Sequence, residues 1–138
     1  MAGGLALADL EPQLYRHQMA VADEGHGRTL PDGSTQWGGF PVHQFQRIKK
    51  LRNADRVMFL CPACFRTNGG AVGTHRIAID FAGRGTPDEA CVHNDKGQPV
   101  RWSVSGTGLA DLTLSPSILM LRGCKWHGWV QNGQIKDA

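Results

Sequence analysis

The N-terminal part of the chain spaces its apolar side chains at helical intervals. Leu10, Leu14 and Val21 follow Asp9, a residue type that caps helix N-termini, and glycines end the pattern soon afterwards. Three- and four-residue spacing after a capping residue is typical of an amphipathic helix. The pattern therefore predicts a helix over 9–21.

The next stretch, 25–41, shows no periodicity and is rich in glycine and proline. Such a composition is typical of an irregular connection that runs over the surface. Trp37 and Phe40 stand out in it as large aromatic side chains. We expect an extended loop in which these two residues are able to contact a partner.

A second amphipathic helix is predicted directly after this loop. Phe45, Ile48 and Leu51 lie three residues apart, and basic residues fall mostly on the other face. An ordinary solvated helix face explains such charge, and contact with an acidic partner or nucleic acid is the alternative. The basic residues are Arg47, Lys49, Lys50 and Arg52.

From residue 56 onward the pattern changes to short runs of β-branched and aromatic residues. Asn132-Gly133 is a strong hairpin signal, so 134–136 should pair back across it. The polar segment 82–99 is predicted to be a loop. The predicted strands are 57–60, 76–81, 100–104, 117–121 and 126–131.

Composition fits this picture of many short elements. The chain has 138 residues, of which 41% are hydrophobic, enough for one modest core, and its 18 glycines imply many turns. We expect a mainly β fold, a small sheet or sandwich stabilised by zinc. The predicted organisation is an N-terminal arm over 1–54, holding the two helices, and a zinc-binding β domain over 55–138.

Net charge and hydropathy exclude some classes of protein. A formal charge of +3 is too small for a dedicated nucleic-acid binder, so nucleic acid is a partner that the sequence does not favour. The N-terminus lacks the pattern of a signal peptide, and no apolar stretch is long enough to span a membrane. We expect a protein made in a cytoplasm, where its four cysteines stay reduced.

The motif Cys61-Pro62-Ala63-Cys64 has two interpretations. In a thioredoxin-like redox site the first cysteine caps a long helix that lowers its pKa. Here the sequence reaches Gly69-Gly70 within a few residues, which leaves no room for a long helix. Half of a zinc site is therefore the preferred interpretation.

A second pair of ligands completes that zinc site. Cys124 and His127 are separated by two residues, a gap that lets one tight turn present two side chains to the same ion. We predict that Cys61, Cys64, Cys124 and His127 hold one structural Zn²⁺, although iron also accepts such ligands. His75, Cys91 and His93 rank behind them as alternative ligands.

Evidence for catalysis is weaker. Four serines and Asp111 are available, but no spacing pairs a particular serine with a histidine. A closed four-ligand metal site also argues against a catalytic metal, because a catalytic zinc keeps one position open. The serines are Ser103, Ser105, Ser115 and Ser117.

Three blocks of the sequence carry a resemblance. "VMFLCPACFRTNGGAVGTH", "SGTGLADLTLSPSI" and "GCKWHGWVQNGQI" are similar, in this order, to a family of small uncharacterised proteins of tailed bacteriophages and prophages. The resemblance covers roughly residues 55–135. It implies a phage origin, supports the four metal ligands and makes His75 a position of interest, but it implies no activity.

These observations favour a non-enzymatic, zinc-stabilised structural or interaction protein of a tailed phage. It would be a minor virion component that binds other phage proteins, located in the host cytoplasm or the virion. One alternative is a metal-dependent hydrolase in which His75, His93 or Asp111 acts as acid or base. Another is a nucleic-acid-binding zinc module that uses the basic residues of the second predicted helix.

Overall fold

The protein is mainly β, as its sequence predicts. We describe it from a computed structural model over residues 4–120 and 123–138. These residues hold one α-helix, α1 (Pro62–Asn68), and none of their helices is long and apolar enough to cross a membrane. The strands are β1 (Gln13–Val21), β2 (Gly27–Thr29), β3 (Thr35–Trp37), β4 (Pro41–Ile48), β5 (Arg56–Leu60), β6 (Arg76–Asp80), β7 (Ser103–Ser105), β8 (Thr113–Ser115), β9 (Ile118–Leu119), β10 (His127–Gln131) and β11 (Gln134–Asp137).

The largest sheet has four antiparallel strands in the order β4-β1-β5-β6. The long strands β1 and β4 pair with each other, with the short β2-β3 pair in the connection between them, and the first residues of β1 also pair with β5. Strand β6 lies at one edge of this sheet. That edge bounds the groove described below.

A second antiparallel sheet has the order β11-β10-β9. The hairpin from β10 to β11 turns at Asn132 and Gly133, which have φ angles of 49° and 72°. The hairpin predicted from Asn-Gly is therefore present, since both residues adopt the left-handed conformations that such a tight turn requires. Two further pairs, β2 with β3 and β7 with β8, complete the sheets.

One hydrophobic core joins the two larger sheets. Val57 and Ile77 come from the four-stranded sheet, Ile118 and Val130 come from the three-stranded sheet, and all four are almost completely buried. The 3₁₀ turn Leu7–Leu10 adds two leucines to the same core. Burial of this apolar surface is the main stabilising contribution to the fold.

Both predicted N-terminal helices are wrong. Residues 13–21 form β1 and residues 41–48 form β4, and a 3₁₀ turn follows at Leu51–Asn53. The apolar spacing misled because only Leu14 in β1 is buried, whereas Val21, the last residue of β1, is 73% exposed. Pairing between strands distant in sequence overrides such local spacing.

The residues predicted to contact a partner are spread over the segment from β3 to the turn after β4. Arg47 lies on β4, Arg52 lies in the 3₁₀ turn, and Lys49 and Lys50 fall between them, all exposed. Trp37 is exposed, but Phe40 is buried beneath the Arg28 guanidinium and offers no surface to a partner. The boundary predicted at residue 54 stays a prediction, although strands on either side of it share one sheet.

The later strands lie near their predicted positions. Strands β5, β6 and β10 match closely, whereas β7 is shifted from 100–104 to Ser103–Ser105. Strand β9 covers two residues of the predicted run 117–121, of which residue 121 lies outside the described residues. Helix α1 fills the two turns between Cys61 and Gly69 and ends at that glycine, so it is short, unlike the long helix of a thioredoxin-like site.

A buried ion pair attaches the long loop 82–99 to the four-stranded sheet. The fully buried Asp80 carboxylate accepts hydrogen bonds from Arg56 Nε at 2.6 Å and from the Val92 backbone N–H at 2.7 Å. Arg56 also donates to the Ala90 carbonyl, and its guanidinium lies over the Phe45 ring. Removal of any one of these partners would leave a buried charge without compensation, which strongly destabilises a fold.

We predict that Gly133→Ala destabilises the fold more than Gly97→Ala. Both glycines have φ near 75°, where a side chain costs about 1–2 kcal/mol. A Cβ at Gly133 would also collide with the Ala110 carbonyl, whereas a Cβ at Gly97 meets nothing within 4 Å. Urea denaturation of both variants measures the difference, and equal losses would contradict this packing.

Candidate active site and metal cluster

Three cysteines and one histidine come together where the two larger sheets meet. Cys61 directly follows β5 and is the N-cap residue of α1, and Cys64 lies in the first turn of α1. His75 directly precedes β6, and its carbonyl accepts the Cys61 backbone N–H. Cys124 lies in the connection from β9 to β10. We call these four residues the cysteine cluster.

The cysteine cluster has the dimensions of a metal site. Its four ligand atoms all lie within 4.8 Å of one another. Cys124 Sγ lies 3.0 Å from Cys61 Sγ and 3.4 Å from His75 Nε2. Tetrahedral zinc, with bonds of about 2.3 Å to sulfur and about 2.0 Å to nitrogen, holds such atoms roughly 3.5–3.8 Å apart. The cluster is therefore able to hold a metal ion with small adjustments of the side chains.

The surroundings of the cluster favour ionisation of one thiol, that of Cys124, over that of Cys61. Burial raises the pKa of the Cys61 thiol to about 12, and its hydrogen bond with Cys124 adds to the shift. Burial opposes ionisation of Cys124 as well, but hydrogen bonds with Cys61 and His75 outweigh it and lower the pKa of Cys124 to about 6. A thiolate beside two thiols and an imidazole is a suitable donor set for a soft divalent cation.

The predicted fourth ligand, His127, is not in the cluster, and His75 takes its place. Trp126 is buried in the core, and His127 begins β10 with its side chain on the opposite, exposed face. Side chains of a strand alternate between faces, so the two-residue gap after Cys124 does not return His127 to the metal site. The spacing Cys-x-x-His was therefore misleading here.

The other candidate ligands also lie apart from the cluster. Cys91 is buried, with its Sγ 3.9 Å from the Thr86 carbonyl. His93 forms an isolated β-bridge with Pro99 at the edge of a groove. Within the described residues, neither belongs to a group that fits a metal ion.

The His127 ring instead contacts a serine. Its Nε2 lies 3.2 Å from the Oγ of Ser117. The fold creates this contact because β9 and β10 pair with His127 opposite Leu119, which places Ser117 diagonally across the ladder on the same face. The Trp129 ring lies beside the imidazole, with centroids 5.8 Å apart. Ser117 and His127 thus form a Ser–His pair.

The Ser–His pair has the geometry of an activated nucleophile. A serine hydroxyl becomes nucleophilic when a neutral imidazole within about 2.6–3.2 Å accepts its proton. Over residues 4–120 and 123–138, no carboxylate is hydrogen-bonded to His127. Asp111, proposed above as an acid or base, binds the backbone N–H groups of Thr107 and Gly108 in a turn.

Ser117 lies in the wall of a groove of about 670 Å³. The free side of β6 forms one wall, and the segment from Pro116 to Met120 forms the other. Trp102 lies between them, and its indole N–H donates to the Ser117 carbonyl at 3.3 Å. The residue that contacts His127 is therefore also a residue of the groove wall.

The Ser–His pair could have been found in the sequence by pairing two of the predicted strands, although residue spacing alone did not reveal it. Ser117 was one of four candidate serines, and strands were predicted both at 117–121 and at 126–131. Pairing these two strands around Gly123 places residues 117 and 127 on one face. Ser103, Ser105 and Ser115 lie on β7 and β8, where they have no histidine partner among the described residues.

Comparison with known proteins supplies a family. The family model described as "Bacterial ubiquitination-like system serine protease (BubE)" matches residues 41–138. No curated protein and no solved structure matches the chain. The match begins at β4, within the predicted N-terminal arm.

This match overturns the functional prediction. The family is one of enzymes from a bacterial system, so the predictions of a non-enzymatic phage structural protein, of phage partners and of a place in a virion are wrong. They failed because no spacing in the sequence pairs Ser117 with His127, and His127 was assigned to the metal site instead. The resemblance to a phage family is a separate matter that the match does not test, and it stays a prediction. Over some seven-tenths of its length, the chain belongs to the family of bacterial ubiquitination-like system serine proteases, BubE.

Proposed function

We propose that this chain is a serine protease in which Ser117 is the nucleophile and His127 is the general base. The observation that carries the proposal is the 3.2 Å contact between Ser117 Oγ and His127 Nε2 at the wall of a groove. Membership of a serine protease family supports it independently. The substrate is a protein of the bacterial ubiquitination-like system that the family name describes.

The reaction follows from the groups present. Ser117 Oγ attacks the carbonyl carbon of the scissile bond while its proton passes to His127 Nε2. The imidazolium then donates this proton to the departing amine nitrogen, the C–N bond breaks, and an ester remains on Ser117. Water attacks the ester with His127 again accepting the proton, which releases the carboxylic acid and restores the hydroxyl.

His127 must carry its proton on Nδ1 to act in this way, because its Nε2 has to accept the serine hydrogen. In the best-known triads a carboxylate holds the imidazole in that state. Here the backbone of β10 and the neighbouring Trp129 ring position the imidazole instead. The proposed machinery is therefore a dyad.

We further propose that the cysteine cluster binds one Zn²⁺ and that its role is structural. Three sulfurs and one imidazole fill a tetrahedron, which leaves no open position for a water or a substrate. The ion would tie β5, β6 and the connection before β10 at one point. Because metal binding and folding are linked, this ion would stabilise both walls of the groove.

Removal of the nucleophile should abolish activity and leave the fold intact. We expect Ser117→Ala and His127→Ala to lower cleavage of the system's ubiquitin-like protein by at least about 10³-fold. Ser117→Ala should also prevent covalent labelling by a fluorophosphonate, with mass spectrometry locating the adduct on Ser117 in the unaltered protein. Ser115→Ala, two residues away and exposed, is the matched control. Full labelling of Ser117→Ala would contradict the assignment.

Metal content tests the second proposal. Protein purified without chelator should contain about one zinc per chain by mass spectrometry, and Cys64→Ala or His75→Ala should lose most of it. Cys91→Ala and His127→Ala should retain it, since both residues lie outside the cluster. Iron in place of zinc would correct the identity of the ion. Loss of metal in His127→Ala but not in His75→Ala would refute the ligand set.

A further inference from the structure

One side of β6 leaves its backbone groups without strand partners. The hydrogen bonds from Phe81 N to the Asp55 carbonyl and from Cys61 N to the His75 carbonyl fix which residues of β6 bond to β5. The direction of the backbone groups alternates along an antiparallel strand. The backbone N–H and C=O of Ile77 and Ile79 therefore point toward β5, and those of Arg76 and Ala78 point away from it. Among the described residues, the outward N–H and C=O of Arg76 and Ala78 have no backbone partner.

The edge of the second sheet faces the same groove. Met120 N donates to the Trp126 carbonyl, so the alternation makes Ile118 bond to β10 and turns the backbone of Leu119 away from it. Leu119 is also 54% exposed. Both β6 and β9 are edge strands, and residues of both line the groove that holds Ser117.

The groove is closed at one end and open at the other. Trp102 N donates to the Asp80 carbonyl and Ala82 N donates to the Trp102 carbonyl, so Trp102 already occupies the strand position beside the end of β6. Beyond that point, toward Arg76, no residue of the described part of the chain pairs with this edge. The remaining length suits a strand of about four or five residues at roughly 3.3 Å per residue.

We propose that the substrate binds as an extended strand in this groove, along the free edge of β6 and against Leu119. This inference rests on the proposed protease function and specifies its substrate as an unfolded segment of a protein, such as a tail or linker. A folded surface or a helix does not fit, because its backbone groups are already hydrogen-bonded and leave those of Arg76, Ala78 and Leu119 unpaired. The strand would carry its scissile carbonyl past Ser117.

When a peptide adds to a sheet as a strand, main-chain hydrogen bonds provide its affinity. The side chains around the groove then determine which peptide sequences bind best. The groove walls present mainly apolar side chains, namely Val92, Val100, Leu119 and Met120. The half-buried Ala78 is small and leaves room beside the edge. We therefore expect preference for apolar over charged residues at the positions next to the scissile bond.

Ala78→Pro tests the edge directly. The substitution removes the N–H that points away from β5 and leaves the hydrogen bonds between β6 and β5 intact. Proline is tolerated at such outward positions of an edge strand. The matched control is Arg47→Pro on β4, the opposite edge of the sheet. The bond from Ala22 N to the Phe40 carbonyl and the register of β4 on β1 make the Arg47 N–H point outward as well.

The expected result separates binding from chemistry. With a tail peptide of the system's ubiquitin-like protein, Ala78→Pro should raise KM roughly tenfold, the effect of about one lost hydrogen bond. Fluorophosphonate labelling should proceed at the normal rate, and Arg47→Pro should change neither quantity. Unchanged KM in Ala78→Pro would overturn the strand proposal while the role of Ser117 stands. Failure of the unaltered protein to label would instead overturn the protease function.

Hydrogen exchange gives a second readout that needs neither catalysis nor the proline variant. When the same peptide is added to Ser117→Ala, the backbone amides of Arg76, Ala78 and Leu119 should become protected. The amides of Ile77 and Ile79, already bonded to β5, should change little. Absence of protection at the three outward amides would refute the strand proposal, whether or not the peptide binds elsewhere.

Discussion

The contact between the cysteine cluster and both larger sheets is the constraint on which the groove depends. Cys61, Cys64 and His75 come from the end of β5 and the start of β6, and Cys124 comes from the connection that leads into β10. The 3.0 Å contact between Cys61 Sγ and Cys124 Sγ therefore joins the end of β5 to the connection that leads into the three-stranded sheet. Residues of the edge strands β6 and β9 line the same groove, and each strand lies next to a part of this cluster in the chain.

A second polar anchor shapes the same groove from the other side. Asp80, the last residue of β6, is fully buried and binds Arg56 together with the Val92 N–H. This attaches the loop 82–99, whose residues 92–95 contribute to the lining. Burial of a charged pair adds little net stability compared with apolar packing, but it holds one geometry closely. The apolar core thus stabilises the fold, and the two polar anchors position the site.

The sequence predicted the β half of the fold and three of the four cluster residues, because those signals are local. The Asn-Gly turn and the Cys-x-x-Cys turn depend only on neighbouring residues. Strand β1 could not be predicted, since its pairing with β5 joins residues some forty positions apart and overrode the apparent helical spacing of Leu10, Leu14 and Val21. The choice of His127 over His75 as the fourth cluster residue failed for a similar reason. Which face each histidine occupies is set by strand register, and spacing along the chain does not encode register.

The exposure of the Ser–His pair fits a site that the substrate completes. In the free protein both side chains face solvent, where water competes for the hydrogen bond and weakens it. A strand lying between β6 and Leu119 would exclude that water and lower the local dielectric, which strengthens the same hydrogen bond. The proposed dyad, in which no carboxylate of the described residues is hydrogen-bonded to His127, would then gain its activation from its substrate. On the strand proposal, an unfolded tail would provide this cover and a folded surface would not, so the same arrangement would select against folded proteins.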